Sequence, residues 1–323
     1  MESHIIGKQP VKDIPVSDDR LSFIYLERCI INIDGGSLLC NRNNISIRVP
    51  VNSLLTLILG PGASITHAAM KLIGNSGCAV NWMGSDQTRF YAYGRGLSTS
   101  ANYAMKQAEI VSHPALRLKA AKIMYSMRFH DDFNKYDSLN RLRGIEGSRM
   151  KTLYSEYAEQ YEIEWNGRTA EWDNIPDDDY VNKALTTCNQ ILYDIEIPII
   201  LGLGAVPQLG IIHNGESIAF ALDVADVFKS YTSIPVAFEI GSEYISYNNS
   251  DEYYDASMKS FDRDVRTLMR KAITDNNVVP GSIECIQDVL MLDDDSPEIE
   301  WMDDNTGLWD SSTEIIIGGF NQS

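Results

Sequence analysis

The stretch Arg89-Phe-Tyr-Ala-Tyr-Gly-Arg-Gly96 divides this sequence. Before it, short runs of β-forming residues alternate with turn signals. After it, apolar residues take helical spacing. Pro114 stands where a first helical residue is expected, followed by Leu116, Leu118, Ala120, Ile123, Met124 and Met127. Backwards from the divide, Arg89–Tyr93 and Cys78–Met83 are split by Gly-Ser-Asp. Leu21–Leu26, Cys29–Ile33, Ser37–Cys40, Ile45–Val49 and Leu54–Leu59 are separated by Asp-Gly-Gly, Asn-Arg-Asn-Asn and Gly-Pro-Gly. This pattern predicts a small β-sandwich with one embedded helix, His67–Asn75, capped by Thr66 and closed by Gly77.

Forwards from the divide, Asp137 or Ser138 caps a helix running from about Leu139 to Tyr161. Tyr180–Leu203 reads as a long helix broken by Gly-Leu-Gly-Ala-Val-Pro. Leu209–His213 and Ser217–Ala221 flank Asn214-Gly215, a tight-turn signal that predicts a hairpin. Asp223–Tyr231 and Asp262–Asp275 read as helices. The expected fold class is α+β: an N-terminal β domain over residues 1–95 and a larger, mostly α-helical catalytic domain over 96–292. Residues 293–323 read as an acidic, disordered tail whose apolar end, Ile315-Ile316-Ile317-Gly-Gly-Phe320, is suited to docking.

Composition narrows the class. The chain of 323 residues is long enough for two cores. The N-terminus holds no apolar signal core, and the longest apolar stretch, Ile197–Leu209, is interrupted by Pro and Gly. The cysteines at 29, 40, 78, 188 and 285 are odd in number and lack a Cys-x-x-Cys pair. They read as reduced thiols in a cytoplasmic protein. The net charge of −18 is unevenly spread, since the tail carries nine Asp and Glu and no Lys or Arg. Basic residues gather at Arg117, Lys119, Lys122 and Arg128, at Arg141, Arg143, Arg149 and Lys151, and at Arg263, Arg266, Arg270 and Lys271. Taken singly each group is a solvated helix face; together they are surfaces on which a polyanion can bind despite the net charge.

Three fragments carry chemistry: Gly144-Ile-Glu-Gly-Ser-Arg149, His213-Asn-Gly215 and Asp223-Val-Ala-Asp226. Glu146 lies at the border of an apolar helical stripe between two glycines, each costing a helix roughly 1 kcal/mol relative to Ala. Either something approaches that backbone closely, or a surface Glu sits in a helix packed tightly through its glycines. His213 closes an apolar run before a turn and is either a satisfied turn histidine or a ligand facing a cleft. Asp223 and Asp226 share a helix face with Lys229. They read either as an N-cap and a surface ion pair or as paired acids of a site. Two or three carboxylates and one imidazole form a hard ligand set, suited to Mg²⁺ or Mn²⁺ acting on a phosphate rather than to structural zinc.

In order and spacing these fragments resemble one family. Leu142–Arg149, Trp165-Asn-Gly-Arg168, Asn182 to Tyr193, His213-x-Gly215 and Asp223-x-Ala-Asp226 with Lys229 carry the likeness. Val206-Pro207, Pro235 to Glu239, Gly60-Pro-Gly62 with His67-Ala-Ala69, and Arg89-x-Tyr-Ala-x-Gly94 extend it. The chain resembles the CRISPR adaptation integrase and endonuclease, the universal Cas protein one, in its subtype I-E branch. The resemblance implies Glu146, His213 and Asp226 as metal ligands, with Asp223 a supporting catalytic carboxylate. It implies transesterification of a fragment's 3′-hydroxyls onto a CRISPR repeat. It also implies a homodimer formed through the β domain, and a hetero-hexamer of four such chains with two copies of the small ferredoxin-like Cas protein two. Arg89, Arg143, Lys229, Arg263 and Arg266 are the expected DNA contacts. Two other classes are set beside it: a catalytically silent DNA-binding scaffold of the same fold, and a metal hydrolase of small phosphate esters.

Overall fold

The computed structural model describes residues 22–43, 45–84, 89–95, 101–169, 174–248, 258–291, 308–310 and 313–316. Strands give way to helices between Arg95 and Asn102. The strands are β1 (Ser22–Leu26), β2 (Ile30–Asp34), β3 (Ser37–Arg42), β4 (Ile45–Val49), β5 (Leu54–Leu59), β6 (Ser64–Ile65), β7 (Ala79–Met83) and β8 (Phe90–Arg95). They form two four-stranded sheets, ordered β1-β5-β7-β8 and β4-β3-β2-β6. In the first, β5 runs parallel to β1 and β7 while β8 is antiparallel to β7. One apolar core joins both sheets: Ile31, Leu38 and Val49 from one, Leu57, Leu59 and Val80 from the other.

The embedded helix α1 (His67–Ser76) adds Ala69 and Ile73 to that core. Thr66 caps it, accepting from the Ala69 N–H at 3.3 Å, and Gly77 ends it in the left-handed region at φ 72°. Strand β5 reads Leu-Leu-Thr-Leu-Ile-Leu and every one of its residues is buried. Such a run without alternation needs cover on both faces. The second cover is α5 (Tyr180–Leu203), whose Gly202 backs onto Leu55 so closely that a Cβ would stand 2.7 Å from its Cγ.

The helical part comprises α2 (Asn102–Ser112), α3 (Pro114–Phe129), α4 (Leu139–Gln160), α5, α6 (Ala219–Phe228), α7 (Ser233–Asn248), α8 (Met258–Asp275) and α9 (Val278–Leu290). Helix α5 is central: it packs on α6, α7, α8 and α9 and is buried for most of its length. The expected hairpin around Asn214-Gly215 does not form; no strand is assigned between Leu209 and Ala221, and α6 begins at Ala219. Side chains, not a ladder, hold that segment's backbone. Helices α7 and α9 are not anticipated in the sequence reading. Helix α7 ends at Asn248, and residues 249–257 lie outside the described residues. Among the described residues no helix is long and apolar enough to cross a membrane, and all five cysteines are buried free thiols.

Residues 292–323 form a separate compact unit. Where a structureless tail is expected, it contains two short antiparallel strands, β9 (Leu308–Asp310) and β10 (Thr313–Ile316).

One buried acid gives the helical core a pH dependence. Glu196 on α5 is fully buried and its Oε1 accepts from the Ser282 hydroxyl of α9 at 2.8 Å. Burial pushes its carboxyl up to about 8. A raised folded-state value contributes stability that is present at low pH and lost as pH rises through it. Between the ordinary carboxylate range and about pH 8 the unfolded chain has released this proton and the folded chain has not. Stability is therefore expected to fall by up to about 1.4 kcal/mol per pH unit from this group. Denaturant titrations from pH 5 to 8 should show a shallower fall for Glu196→Gln than for the wild type; equal slopes would remove the assignment.

Candidate functional site

Four elements converge: α3, α4, the 205–218 segment and α6. Helix α3 brings Tyr125 and Arg128, α4 brings Glu146, the segment brings His213, and α6 brings Asp223 and Asp226. The Arg128 side chain is only 5% exposed and stands between the two acids. Its Nη1 pairs with Glu146 Oε1 and lies 3.3 Å from Asp226 Oδ2. The second Glu146 oxygen accepts from the Tyr125 hydroxyl at 2.8 Å. The second Asp226 oxygen meets Lys229 Nζ at 2.5 Å. Lys229 also donates to the Tyr193 hydroxyl at 2.6 Å.

These contacts set the charges. Burial pushes the Asp226 carboxyl up, but Lys229 and Arg128 outweigh it and hold it below the usual range. Lys229 and Arg128 are raised in turn: burial alone would lower them, and the Asp226 carboxylate prevails. Burial, reinforced by Glu146, pushes the Tyr125 hydroxyl up and keeps it a donor.

Asp223 is 1% exposed and caps no helix. Its Oδ2 accepts the backbone N–H groups of Ile211 at 2.5 Å and Ile212 at 3.0 Å. Its Oδ1 accepts the His213 N–H at 2.8 Å and faces His213 Nδ1 at 2.7 Å. The carboxylate thus fixes both the loop and the imidazole, and that hydrogen bond raises the His213 pKa. With Nδ1 engaged, Nε2 is the nitrogen left for a ligand. An imidazole oriented by a carboxylate is the usual arrangement behind a metal-binding histidine.

More side chains hold the same loop. Arg143 on α4 donates to the Ile212 carbonyl. Arg117 donates to the Ile211 carbonyl at 2.6 Å and to Asn214 Oδ1 at 2.5 Å. The buried Gln107 on α2 donates to the Val206 and Leu209 carbonyls at 2.9 and 2.8 Å and accepts the Val206 N–H at 2.7 Å. These six bonds from three helices add to those of Asp223 on α6, which is why the loop needs no strand.

Of the residues expected from the sequence, Glu146 and Asp226 meet at one cation, and His213 and Asp223 form one pair. Among the described residues no three His, Cys, Asp or Glu side chains stand close enough to hold a metal ion. The donor set itself fits a hard divalent ion. Two carboxylates already share a cationic atom, and the third donor is held in one orientation. Lys229 and Arg143 are spent on Asp226 and on the His213 loop. Arg89 is exposed at the foot of β8, where Asp194 of α5 accepts the N–H of Phe90 at 3.3 Å. On α8, Arg263 is 73% exposed and 3.2 Å from Asp264, while Arg266 lies 3.8 Å from Asp262. A Cβ built on Gly144 or Gly147 would meet nothing within 4 Å. These glycines therefore do not serve helix packing among the described residues. They leave the α4 backbone open beside Glu146.

Comparison with known proteins fits this geometry. Residues 127–245, which contain Arg128, Glu146, His213, Asp223, Asp226 and Lys229, match the family model of CRISPR associated protein Cas1. A CRISPR-associated endonuclease Cas1 of Clostridium sp. (strain SY8519) is 33% identical over 312 residues, 96% of this chain and 98% of that protein. The corresponding protein of Escherichia coli (strain K12) is 32% identical across 89% of this chain and 90% of its own length. Among solved structures, that of a TtCas1–DNA complex superposes with a TM-score of 0.72 at 32% identity, covering 84% of this chain and 97% of the other. The chain belongs to the Cas1 family of CRISPR-associated proteins.

Proposed function

We propose that this protein is a metal-dependent DNA integrase of CRISPR adaptation, with endonuclease activity at the same site, and that it belongs to the subtype I-E branch. A nuclease or integrase role is supported by its relatives, which are named CRISPR-associated endonucleases. The observation that carries the finer reading is the meeting of Glu146 and Asp226 at one cation, beside an imidazole fixed by Asp223 and under an open glycine face. The 3′-hydroxyl of a captured fragment attacks a phosphodiester at the end of a CRISPR repeat, a new ester joins the fragment to the 5′ end of the repeat strand, and the flanking strand leaves as a 3′-hydroxyl. With water in place of the hydroxyl the product is a cut.

Glu146, Asp226 and His213 Nε2 would hold Mg²⁺ or Mn²⁺, which when bound polarises a phosphoryl oxygen and stabilises attacking and leaving oxygens. The protein's own residues do the positioning. Tyr125 fixes the rotamer of Glu146, Lys229 that of Asp226, and Asp223 that of His213. No side chain need act as a nucleophile. Arg89, Arg263 and Arg266 lie on exposed or half-exposed faces where phosphates can be gripped without reading sequence. The expected homodimer through residues 1–95 is supported by Ile30, Ile33, Ile45 and Ile47, large apolar side chains exposed on β2 and β4. Assembly with Cas protein two, and location in the cytoplasm, belong to the same reading.

The test is a strand-transfer assay with a 3′-hydroxyl duplex, a repeat-bearing target and the small partner, with and without Mn²⁺. Joined product only with the ion supports the reading; binding of DNA without any joining would favour the silent scaffold. A second arm addresses the open face. Gly147→Ala should stabilise α4 by about 0.5–1 kcal/mol and yet reduce strand transfer, because DNA must approach that backbone. A higher melting temperature with undiminished joining would show that no DNA docks there.

A further inference from the structure

The carboxylate pair is already balanced. Glu146 and Asp226 bring two negative charges, and Arg128 and Lys229 bring two positive ones, all at contact distance. A divalent ion entering this group adds two charges with nothing to offset them, in a half-buried place where uncompensated charge is costly. Arg128 is poorly rewarded for staying. Its Nη1 serves both acids and the guanidinium lies over the Phe129 ring, but among the described residues Nη2 has only the Met150 thioether, a weak acceptor, at 3.2 Å, and Nε has no hydrogen-bond partner. The same residue lines an open cleft of about 340 Å³ whose wall offers donors to a phosphate from Ser148, Arg149, Thr152 and Ser230, beside Phe129, Leu153 and one carboxylate, Glu156. A phosphodiester there offers the guanidinium two oxygens in the fork geometry it prefers.

We infer that Arg128 is the resident counter-cation of the Glu146–Asp226 pair and gives up that place to the divalent ion when a DNA phosphate arrives in the adjacent cleft, so that metal and DNA bind cooperatively. The inference rests on the metal-site reading above and adds the order of events to it. Free protein binds the ion weakly, because two protein cations occupy its electrostatic place. DNA supplies the negative charge that lets the ion stay and gives Arg128 a better partner. By linkage the ion tightens DNA by the same factor. The device keeps a phosphodiester-cleaving centre idle until its substrate is seated.

The experiment is a Mn²⁺ titration read by electron paramagnetic resonance on the full-length protein, free and with a 3′-hydroxyl duplex. The signal is taken above that of the same duplex with Asp226→Asn protein. In the wild type the duplex should tighten Mn²⁺ by about tenfold or more. Arg128→Gln should bind Mn²⁺ about tenfold more tightly than the wild type when both are free, and should lose most of the gain from DNA. Arg128→Lys, which keeps the charge, should stay close to the wild type in the free state. Equal wild-type affinity with and without the duplex overturns the inference, a result that does not depend on any variant folding. So does a folded Arg128→Gln that binds the ion no more tightly. If Glu146→Gln leaves wild-type Mn²⁺ binding intact, the metal site itself is misassigned and the inference falls with it.

Discussion

Glu146→Ala and Asp226→Ala are each expected to reduce strand transfer by about a hundredfold or more, to the level of the reaction without protein. Both carboxylates face the same cationic atom, so loss of either removes half of the place where a divalent ion is held. The two variants should differ in stability. Glu146→Ala frees the Tyr125 hydroxyl and one side of Arg128. Asp226→Ala leaves both Arg128 and Lys229 without their shared acid in a site where the Asp226 side chain is 13% exposed. A cation deprived of its partner in such a place is more costly than an unpaired hydroxyl. Asp226→Ala should therefore melt at the lower temperature, and Asp226→Asn should separate the catalytic loss from the structural one. Joined product is counted on repeat-bearing DNA with Mn²⁺ present, beside a thermal melt of each variant. Joining at the wild-type rate in either alanine variant would refute the site.

The architecture is legible in the sequence where local signals are strong. Tyr180–Leu203 agrees with the structure, ended by Gly204 in the left-handed region, and the start of α4 at Leu139 agrees too, although Ser138 at its N-cap makes no side-chain cap hydrogen bond. The embedded α1 was legible from Thr66 and Gly77. The hairpin at 209–221 was not, because Asn-Gly between apolar runs is a local signal and its competitor is distant: Gln107, Arg117, Arg143 and Asp223 take the backbone groups a strand would have paired. Helix α7 was obscured by Pro235 and Gly241. The glycine lies against Val181, where a Cβ would come within 2.5 Å, a packing need that sequence periodicity does not report. In the site, Glu146 and His213 stand out beside glycines and Asp223 and Asp226 as paired acids, and only their combined resemblance to a family joins them into one site. Arg128 was visible only as one member of a basic cluster on a helix face. Its 5% exposure comes from acids 18 and 98 residues away, which no local window contains. Lys229 and Arg143 are expected as DNA contacts from the family resemblance alone; in the structure Lys229 donates to the Tyr193 hydroxyl and Arg143 to the Ile212 carbonyl.

The second large effect is expected at Asp223, through the His213 loop rather than through any contact with DNA. Its two oxygens accept three backbone N–H groups and hold the imidazole, all in a place 1% exposed. Asp223→Ala leaves those donors buried and unpaired, at roughly 1–3 kcal/mol for each that finds no water. A loss of about 3–5 kcal/mol and a displaced loop should follow. Asp223→Asn is the sharper experiment. One amide oxygen can still accept from Ile211 and Ile212, but the amide NH₂ then faces the His213 ring. A donor there drives the ring hydrogen from Nδ1 to Nε2, which is the nitrogen needed for a ligand. This variant should lose roughly half the stability that Asp223→Ala loses, and strand transfer should still fall by about 10- to 100-fold, the usual effect of removing an orienting partner. Nitrogen-15 chemical shifts of the His213 ring report the tautomer directly. A hydrogen retained on Nδ1 in a folded Asp223→Asn protein, with joining undiminished, would mean that Asp223 only braces the loop.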